Sequence, residues 1–352
     1  MNEGLDVLTE TVVPRPRDCT FSPGDWAVLG RYWHPIAFSS AVAGVPVKAR
    51  LLDVDLVVYR TSQGVVAARD LCMHRGSPLS MGHMQGDEIV CAYHGWRYGP
   101  QGECVRIPSQ PASVRISPRA RLMTINCAER YGLIWGCLAE PLAGLPDCPA
   151  LEDPSYRFLQ LGMQSWQTSA ARQVENFMDV SHFPFVHAGT FGNPDITEVP
   201  RVDVVQTARG LHYDFPYLAA NPANSALGGT GVIQRHTTYD VTLPFTVQLT
   251  IGYPEKGEGR AHVAYDIASP VSARATNIFF VAARNFDAHI PAEEIIAYDL
   301  SIAAEDRPVV EGQRPEELPL DLGEELHVQA DAVTIAYRRR LLELGLGRAW
   351  SA

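Results

Sequence analysis

Strict alternation of apolar and polar residues marks the second half of the chain. From 241 to 251, Val241, Leu243, Phe245, Val247, Leu249 and Ile251 alternate with Thr242, Pro244, Thr246, Gln248 and Thr250, the period of a strand with two unlike faces. Residues 259–269 and 276–286 continue the pattern, so antiparallel strands of a curved sheet are predicted. Other stretches follow a helical period. Residues 171–191, ARQVENFMDVSHFPFVHAGTF, open as a helix and meet Pro184, which is expected to kink it by removing an N–H. Pro291, Glu293 and Glu294 start a second helix, with Ile295, Ile302 and Asp306 on one face. Pro308 is expected to disrupt it. A third helix is predicted over about 329–346, with Arg338-Arg339-Arg340 on a solvated or subunit-contacting face.

The first part of the chain has a different texture. Residues 51–60 read as one β-branched strand, 62–64 as a turn and 65–70 as a second strand. A hairpin is expected around Pro100-Gln101-Gly102, and 131–137 as a buried strand. The predicted organisation is an arm over 1–25, an all-β domain over 26–140 and an α+β domain over 141–352. Pro141, Pro146, Pro149 and Pro154 mark the crossover between the two domains.

Composition narrows the classes. Apolar residues make up 46% and charged residues 20%, as in a globular chain with a sizeable core. No apolar run approaches the ~20 residues of a membrane span. The N-terminus lacks a charged-then-apolar leader, so a cytoplasmic location and no membrane partner are expected. The net charge of −11 argues against nucleic acid. Seven cysteines, all within the first 150 residues, read as reduced thiols rather than a disulfide framework.

Candidate chemistry lies first in Leu71–Pro100. Cys72-Met73-His74 is followed, sixteen residues on, by Cys91-Ala92-Tyr93-His94. Two Cys and two His suit a Rieske [2Fe–2S] centre, in which one iron takes both thiolates and the other both imidazoles. A zinc site of the same composition usually orders a Cys pair before a His pair. Here each loop supplies one of each, which suits a two-iron cluster pinned between two loops. Glycines at 76, 82, 86, 95 and 99 supply turns whose amides can face the sulfurs.

A second candidate set is His182 and His187. Two imidazoles and a carboxylate form the facial triad of mononuclear non-haem Fe(II) sites. Five residues apart, the two are about 140° apart round an ideal helix, so a break at Pro184 is needed to bring them together. Asn176, Asp179 and His182 are spaced to share one stripe of that helix.

The stretches RYWHPIAF, CAYHGWRY, ERYGLIW, ENFMDVSHFPFVHAGT and EDRPVVEGQ resemble the Rieske non-haem iron oxygenases. The similarity spans nearly the whole chain after residue 25 and is nearest to components that demethylate small N-methyl or O-methyl compounds, methylxanthine N-demethylases among them. One departure is Ala92, where that family usually has Pro. The resemblance implies a Rieske domain followed by a helix-grip catalytic domain. It implies Cys72, His74, Cys91 and His94 as cluster ligands, and His182, His187 and Asp306 as ligands of a mononuclear Fe(II). Glu305 is the runner-up for the third ligand and Asp299 a weaker alternative. Asn176 is implied beside the iron. Asp179 is implied to bridge His182 to His94 of a neighbouring chain, which predicts a closed homotrimer.

The expected activity is that of a terminal monooxygenase using O2 on a C–H bond of a small heterocyclic or aromatic substrate. If the target is an N- or O-methyl group, formaldehyde is lost; a ring or alkyl carbon would instead give an alcohol. No G-x-G-x-x-G unit is present, so NAD(P)H is expected to act through a separate flavin/iron–sulfur reductase, with or without a ferredoxin. Gln248, Thr250, Asn277 and Phe279 are candidates for the pocket wall, although alternation allows either face. Asn221 or Asn224, in a loop over 219–231, is a further candidate. Rival readings are a Rieske electron carrier with a non-catalytic second domain and a zinc-stabilised interaction protein.

Overall fold

The computed structural model describes residues 13–221 and 231–347. The chain divides into two compact units, Met1–Leu145 and Pro146–Ala352, a junction slightly later than the expected one after residue 140.

In the first unit a short helix α1 (Pro23–Leu29) precedes ten strands: β1 (His34–Phe38), β2 (Val47–Leu51), β3 (Val54–Thr61), β4 (Gly64–Arg69), β5 (His83–Gln85), β6 (Glu88–Val90), β7 (Arg97–Tyr98), β8 (Cys104–Arg106), β9 (Asn126–Arg130) and β10 (Leu133–Cys137). They form three small sheets, ordered β1-β10-β9, β2-β3-β4 and β5-β6-β7-β8. The stretch 51–60, expected as one strand, belongs to β3 only from Val54 onward; its start is a hairpin turn. Leu52 and Asp53 both take positive φ, 50° and 64°, between paired Leu51 and Val54. Such a turn matches the twist of the flanking strands. Asp53 is held there by Thr20, whose N and Oγ1 donate to its carboxylate at 2.8 and 2.7 Å. The expected arm is thus pinned at that point.

The second unit runs β11 (Arg157–Trp166), α2 (Ala170–Met178), α3 (Phe183–Val186), β12 (Val205–Gln206), β13 (Gly210–Asn221), β14 (Gly231–Thr242), β15 (Thr246–Gly252), β16 (Ala261–Ser272), β17 (Ala275–Arg284), α4 (Ala292–Gly312) and α5 (Ala332–Glu343). Its seven strands form one sheet, ordered β11-β17-β16-β15-β14-β13-β12, with every neighbouring pair antiparallel. Helix α2 packs on β15 and β16, α4 on β11, and α5 on β13. Trp166, Ile278, Phe280 and Val310 form one core cluster, and Leu159, Ala282 and Ile295 another.

Three expectations are corrected here. Residues 241–251 are not one strand: β14 ends at Thr242 and β15 begins at Thr246. The alternation runs unbroken through the turn and hides it, although Pro244 cannot donate to a ladder. Pro308 does not disrupt α4, which continues through it to Gly312 at the cost of one backbone hydrogen bond. Arg338 is not on a solvated face. It is 3% exposed, with its guanidinium on both oxygens of Glu175 at 2.6 and 2.9 Å and on Glu325 at 2.6 Å. Charge pairing with α2 is what allows an arginine to be buried.

Candidate active site

In the first unit the two ligand loops lie between β4 and β5 and between β6 and β7. Each closes on its own cysteine. Gly76 N donates to Cys72 O at 2.9 Å, and Gly95 N to Cys91 O at 3.0 Å. Gly95 takes φ +67°, a conformation that disfavours a side chain. Both cysteines are 2% exposed, whereas His74 is half-buried and His94 exposed. The two imidazole centroids are 4.6 Å apart, and His74 stacks on Trp96 at 4.7 Å. Met73 N donates to the Tyr98 hydroxyl at 3.1 Å, which leaves the hydroxyl hydrogen for Cys72 Sγ at 3.2 Å.

Burial pushes the Cys72 thiol up, with the Tyr98 hydroxyl opposing. A thiolate there needs a cation or cluster to offset the lost solvation. Paired buried sulfurs with paired imidazoles toward solvent fit the asymmetric ligation of a Rieske cluster.

In the second unit α2 is capped by Ser169, whose Oγ accepts from Arg172 N at 3.2 Å. It ends at Asp179 (φ −73°, ψ 140°). The break therefore precedes His182, so Asn176, Asp179 and His182 do not share a helical stripe. Pro184 sits in the first turn of α3, where a missing N–H costs nothing. This earlier break still brings the imidazoles together: His182 Nε2 lies 3.1 Å from His187 Nε2. Asp306 Oδ1 lies 3.3 Å from each. The three ligand atoms lie within 4.8 Å of one another and could hold a metal ion. Gly192 secures the loop, donating to His187 O at 2.8 Å. A Cβ at 192 would meet Phe183 O at 2.0 Å, so no larger residue fits.

Both rings are oriented from behind. His182 Nδ1 donates to Asp179 Oδ2 at 3.0 Å, and His187 Nδ1 to Glu305 Oε2 at 2.8 Å. Carboxylates only accept, so each Nδ1 carries a proton and both Nε2 atoms face inward, where a metal would displace any proton they hold. Thr190 Oγ1 also donates to Glu305, at 2.8 Å, and Asn176 Nδ2 donates to Asp306 Oδ1 at 3.3 Å. Against the effect of burial, Asp179 and Asp306 raise the His182 imidazole to about 9. Against burial again, the two imidazoles lower Asp306 to about 2. This electrostatic pattern calls for positive charge at the centre, and two imidazoles with one carboxylate suit Fe(II).

The three side chains border a cavity of about 140 Å³ between the sheet and helices α2 and α4. Its wall is largely aromatic and aliphatic, including Phe177, Tyr217, Leu249, Ile251 and Phe280.

A family model described as the Rieske [2Fe-2S] domain matches residues 32–126. A second, the vanillate O-demethylase oxygenase C-terminal domain, matches residues 166–346. The chain belongs to the Rieske oxygenase family. The methylxanthine N1-demethylase NdmA of Pseudomonas putida is 33% identical over 90% of this chain and 89% of that relative. A vanillate O-demethylase oxygenase subunit from a Pseudomonas species is 27% identical over 87% of this chain and 92% of its own length. The solved structure of Pseudomonas putida NdmA with caffeine superposes with a TM-score of 0.81 at 30% identity, covering 91% of this chain and 92% of that one.

In this Rieske oxygenase the structure brings His182, His187 and Asp306 together, with Asn176 and Asp179 in contact with them. Glu305 orients His187 instead of joining the trio. Asp299 faces His262, with its Oδ2 3.3 Å from Nε2. The four pocket candidates are corrected: none lines the cavity. Leu249, Ile251 and Phe280 do, and Gln248, Thr250, Asn277 and Phe279 have the opposite parity on β15 and β17. Gln248 Oε1 accepts from Tyr265 Oη at 2.9 Å, and Asn277 Oδ1 from Ser165 Oγ at 2.6 Å. Alternation defines two faces but not which one meets the helices. Asn221 and Asn224 lie outside the residues whose side chains are described.

Sequence reasoning missed Gln173, Arg235, His262 and Asp266 in the cavity wall. Polar His262 and Asp266 at period two within apolar β16 were the available signal. Among the described residues no helix is long and apolar enough to cross a membrane.

Proposed function

We propose that this chain is the terminal oxygenase component of a monooxygenase that removes an N- or O-methyl group from a small heterocyclic or aromatic substrate, releasing formaldehyde. The observation that carries the reading is the trio of His182, His187 and Asp306 bordering a largely apolar cavity, in a chain that also has a Rieske domain. The roles assigned are Cys72 and Cys91 to one cluster iron, His74 and His94 to the other, and His182, His187 and Asp306 to a mononuclear Fe(II). When bound, that iron supplies O2 activation next to the substrate. The protein fixes both imidazoles through Asp179 and Glu305, holds Asp306 through Asn176, and excludes water with the aromatic wall. Hydroxylation of a methyl carbon gives a hemiaminal or hemiacetal, which collapses to formaldehyde and the demethylated product.

Electrons come from NAD(P)H through a separate reductase, in the cytoplasm, and reach the iron across a homotrimer. In that assembly the exposed His94 of one chain meets Asp179 of the next, and Asp179 already holds His182. Asp179→Asn is expected to retain both metal centres and slow cluster oxidation after O2 is added.

The decisive experiment uses purified protein with iron and sulfide quantified. The protein is reduced, exposed to O2 with methylated heterocycles and aromatics, and assayed for formaldehyde and mass-shifted products. Formaldehyde with loss of a methyl group is the expected result. A product that gains oxygen without formaldehyde would make the enzyme a hydroxylase of ring or alkyl carbon.

A further inference from the structure

Gln173 on α2 and Asp266 on β16 are 1% and 0% exposed, and both line the cavity. Gln173 Nε2 donates to Asp266 Oδ2 at 2.6 Å. That bond leaves Gln173 Oε1 and Asp266 Oδ1 buried with no hydrogen-bond partner. Native folds seldom leave such atoms unpaired without a use for them. Neither residue belongs to the metal trio, and neither holds one of its imidazoles. The other unpartnered polar atoms in the wall, His262 Nδ1 and Asp299 Oδ2, belong to side chains that already face each other.

We propose that Gln173 and Asp266 are the specificity pair of the cavity, reading an amide-type edge, a ring N–H beside a ring carbonyl, on a neutral planar heterocycle. Gln173 Oε1 accepts the ring N–H. Asp266, as the neutral acid, accepts from Gln173 through Oδ2 and donates from Oδ1 to the ring carbonyl. Burial pushes the Asp266 carboxyl up to about 8, with the Gln173 hydrogen bond opposing and the Asp306 charge reinforcing. Burial, the largest of these causes, favours the protonated form that the donation uses.

The surrounding charges favour the same class. Asp299 also lines the cavity, outside the trio that would hold the metal, and its carboxylate disfavours a carboxylate substrate. The Arg235 guanidinium is committed to Glu255 at 2.6 Å and sits 4.1 Å over the Tyr253 ring. The inference rests on the demethylase reading and narrows it from heterocyclic or aromatic substrates to lactam- or imide-bearing heterocycles.

The test compares two probes of one ring system by equilibrium dialysis, without O2, on the iron-loaded full chain. Theobromine carries a ring N–H between two carbonyls; in caffeine that nitrogen is methylated. Vanillate serves as the carboxylate probe. Theobromine is expected to bind about tenfold more tightly than caffeine, and vanillate more weakly than either. Asp266→Leu and Gln173→Leu should bring the theobromine-to-caffeine ratio near one. Asp266→Asn, which keeps one acceptor for Gln173 and one donor for the carbonyl, should restore most of it. An unchanged cluster spectrum shows that each variant is folded.

Equal binding of the two methylxanthines, binding of neither, tighter binding of vanillate, or a ratio unmoved by the leucine variants would overturn the assignment. Formaldehyde release in air is scored separately. A preserved binding ratio without formaldehyde sinks the demethylase reading and leaves the pair standing. Formaldehyde with no dependence on Gln173 or Asp266 does the reverse.

Discussion

The two candidate metal sites are built in opposite ways. The Rieske loops draw all four candidate ligands from one stretch, Cys72 to His94, and hold them with local turns. The trio at His182, His187 and Asp306 is assembled from two helices far apart in sequence and is oriented by carboxylates behind the rings. The first buries its sulfurs and leaves His94 exposed. The second encloses His187, at 2% exposure, beside an apolar cavity. A centre that passes electrons needs a surface edge, whereas one that directs a reactive oxygen needs exclusion of water. A local site is specified by its own loops. An assembled one depends on everything that positions its helices.

That contrast can be broken by mutation. Asp306→Ala has the largest expected effect: turnover is abolished and the iron outside the cluster is lost, with the cluster absorption unchanged. Iron analysis beside the visible spectrum checks it, and full activity would refute the ligand assignment. Arg338→Met removes the nearer guanidinium from buried Glu175 and leaves it only Arg172 at 3.6 Å, which should cost about 3 kcal/mol. In a denaturant titration the second unit should unfold earlier while the cluster colour persists. Simultaneous loss of both would mean that the units are not independent in stability.

Glu305→Ala frees the His187 ring and should weaken iron binding at the trio by about 10–100-fold, read by competition with a chelator. Unchanged affinity would show that Asp306 and Asn176 suffice to organise the site. The smallest effect is expected in the first unit. Tyr98→Phe removes one donor to Cys72 and should lower the cluster potential by about 40–60 mV, the equivalent of one ordinary hydrogen bond in a one-electron couple. A potential that does not move would mean that the hydroxyl points elsewhere.

Legibility in the sequence followed the same division. Cys72, His74, Cys91 and His94 could be proposed as a ligand set directly because spacing and geometry coincide within loops. His182, His187 and Asp306, which the structure brings together, were proposed through the motifs around them, not through helical geometry. The helix was expected to break at Pro184, but it breaks at Asp179. The sheet was legible as alternation, yet the turns at Leu52-Asp53 and at Leu243–Phe245 were hidden because apolar residues occupy turn positions. The choice of face was not legible at all. Gln248 and Leu249 are neighbours on one strand, and only the packing of α2 and α4 decides which of them meets the cavity. The Gln173–Asp266 bond spans 93 positions, a separation at which one sequence alone carries no pairing signal.

The Glu175–Arg338 fork joins residues 163 positions apart. It has a consequence for the order of events during synthesis. Domains generally fold as units, the N-terminal one first as the chain emerges. The Rieske loops are complete once their own unit has left the ribosome, and can take up a cluster while translation continues. Helix α2 has only Arg172 near its buried carboxylate until α5 brings Arg338, so the neighbourhood of Asn176 and His182 is finished late. On the proposed assignments, the loops that would hold the cluster are finished before the trio that would take up the second metal.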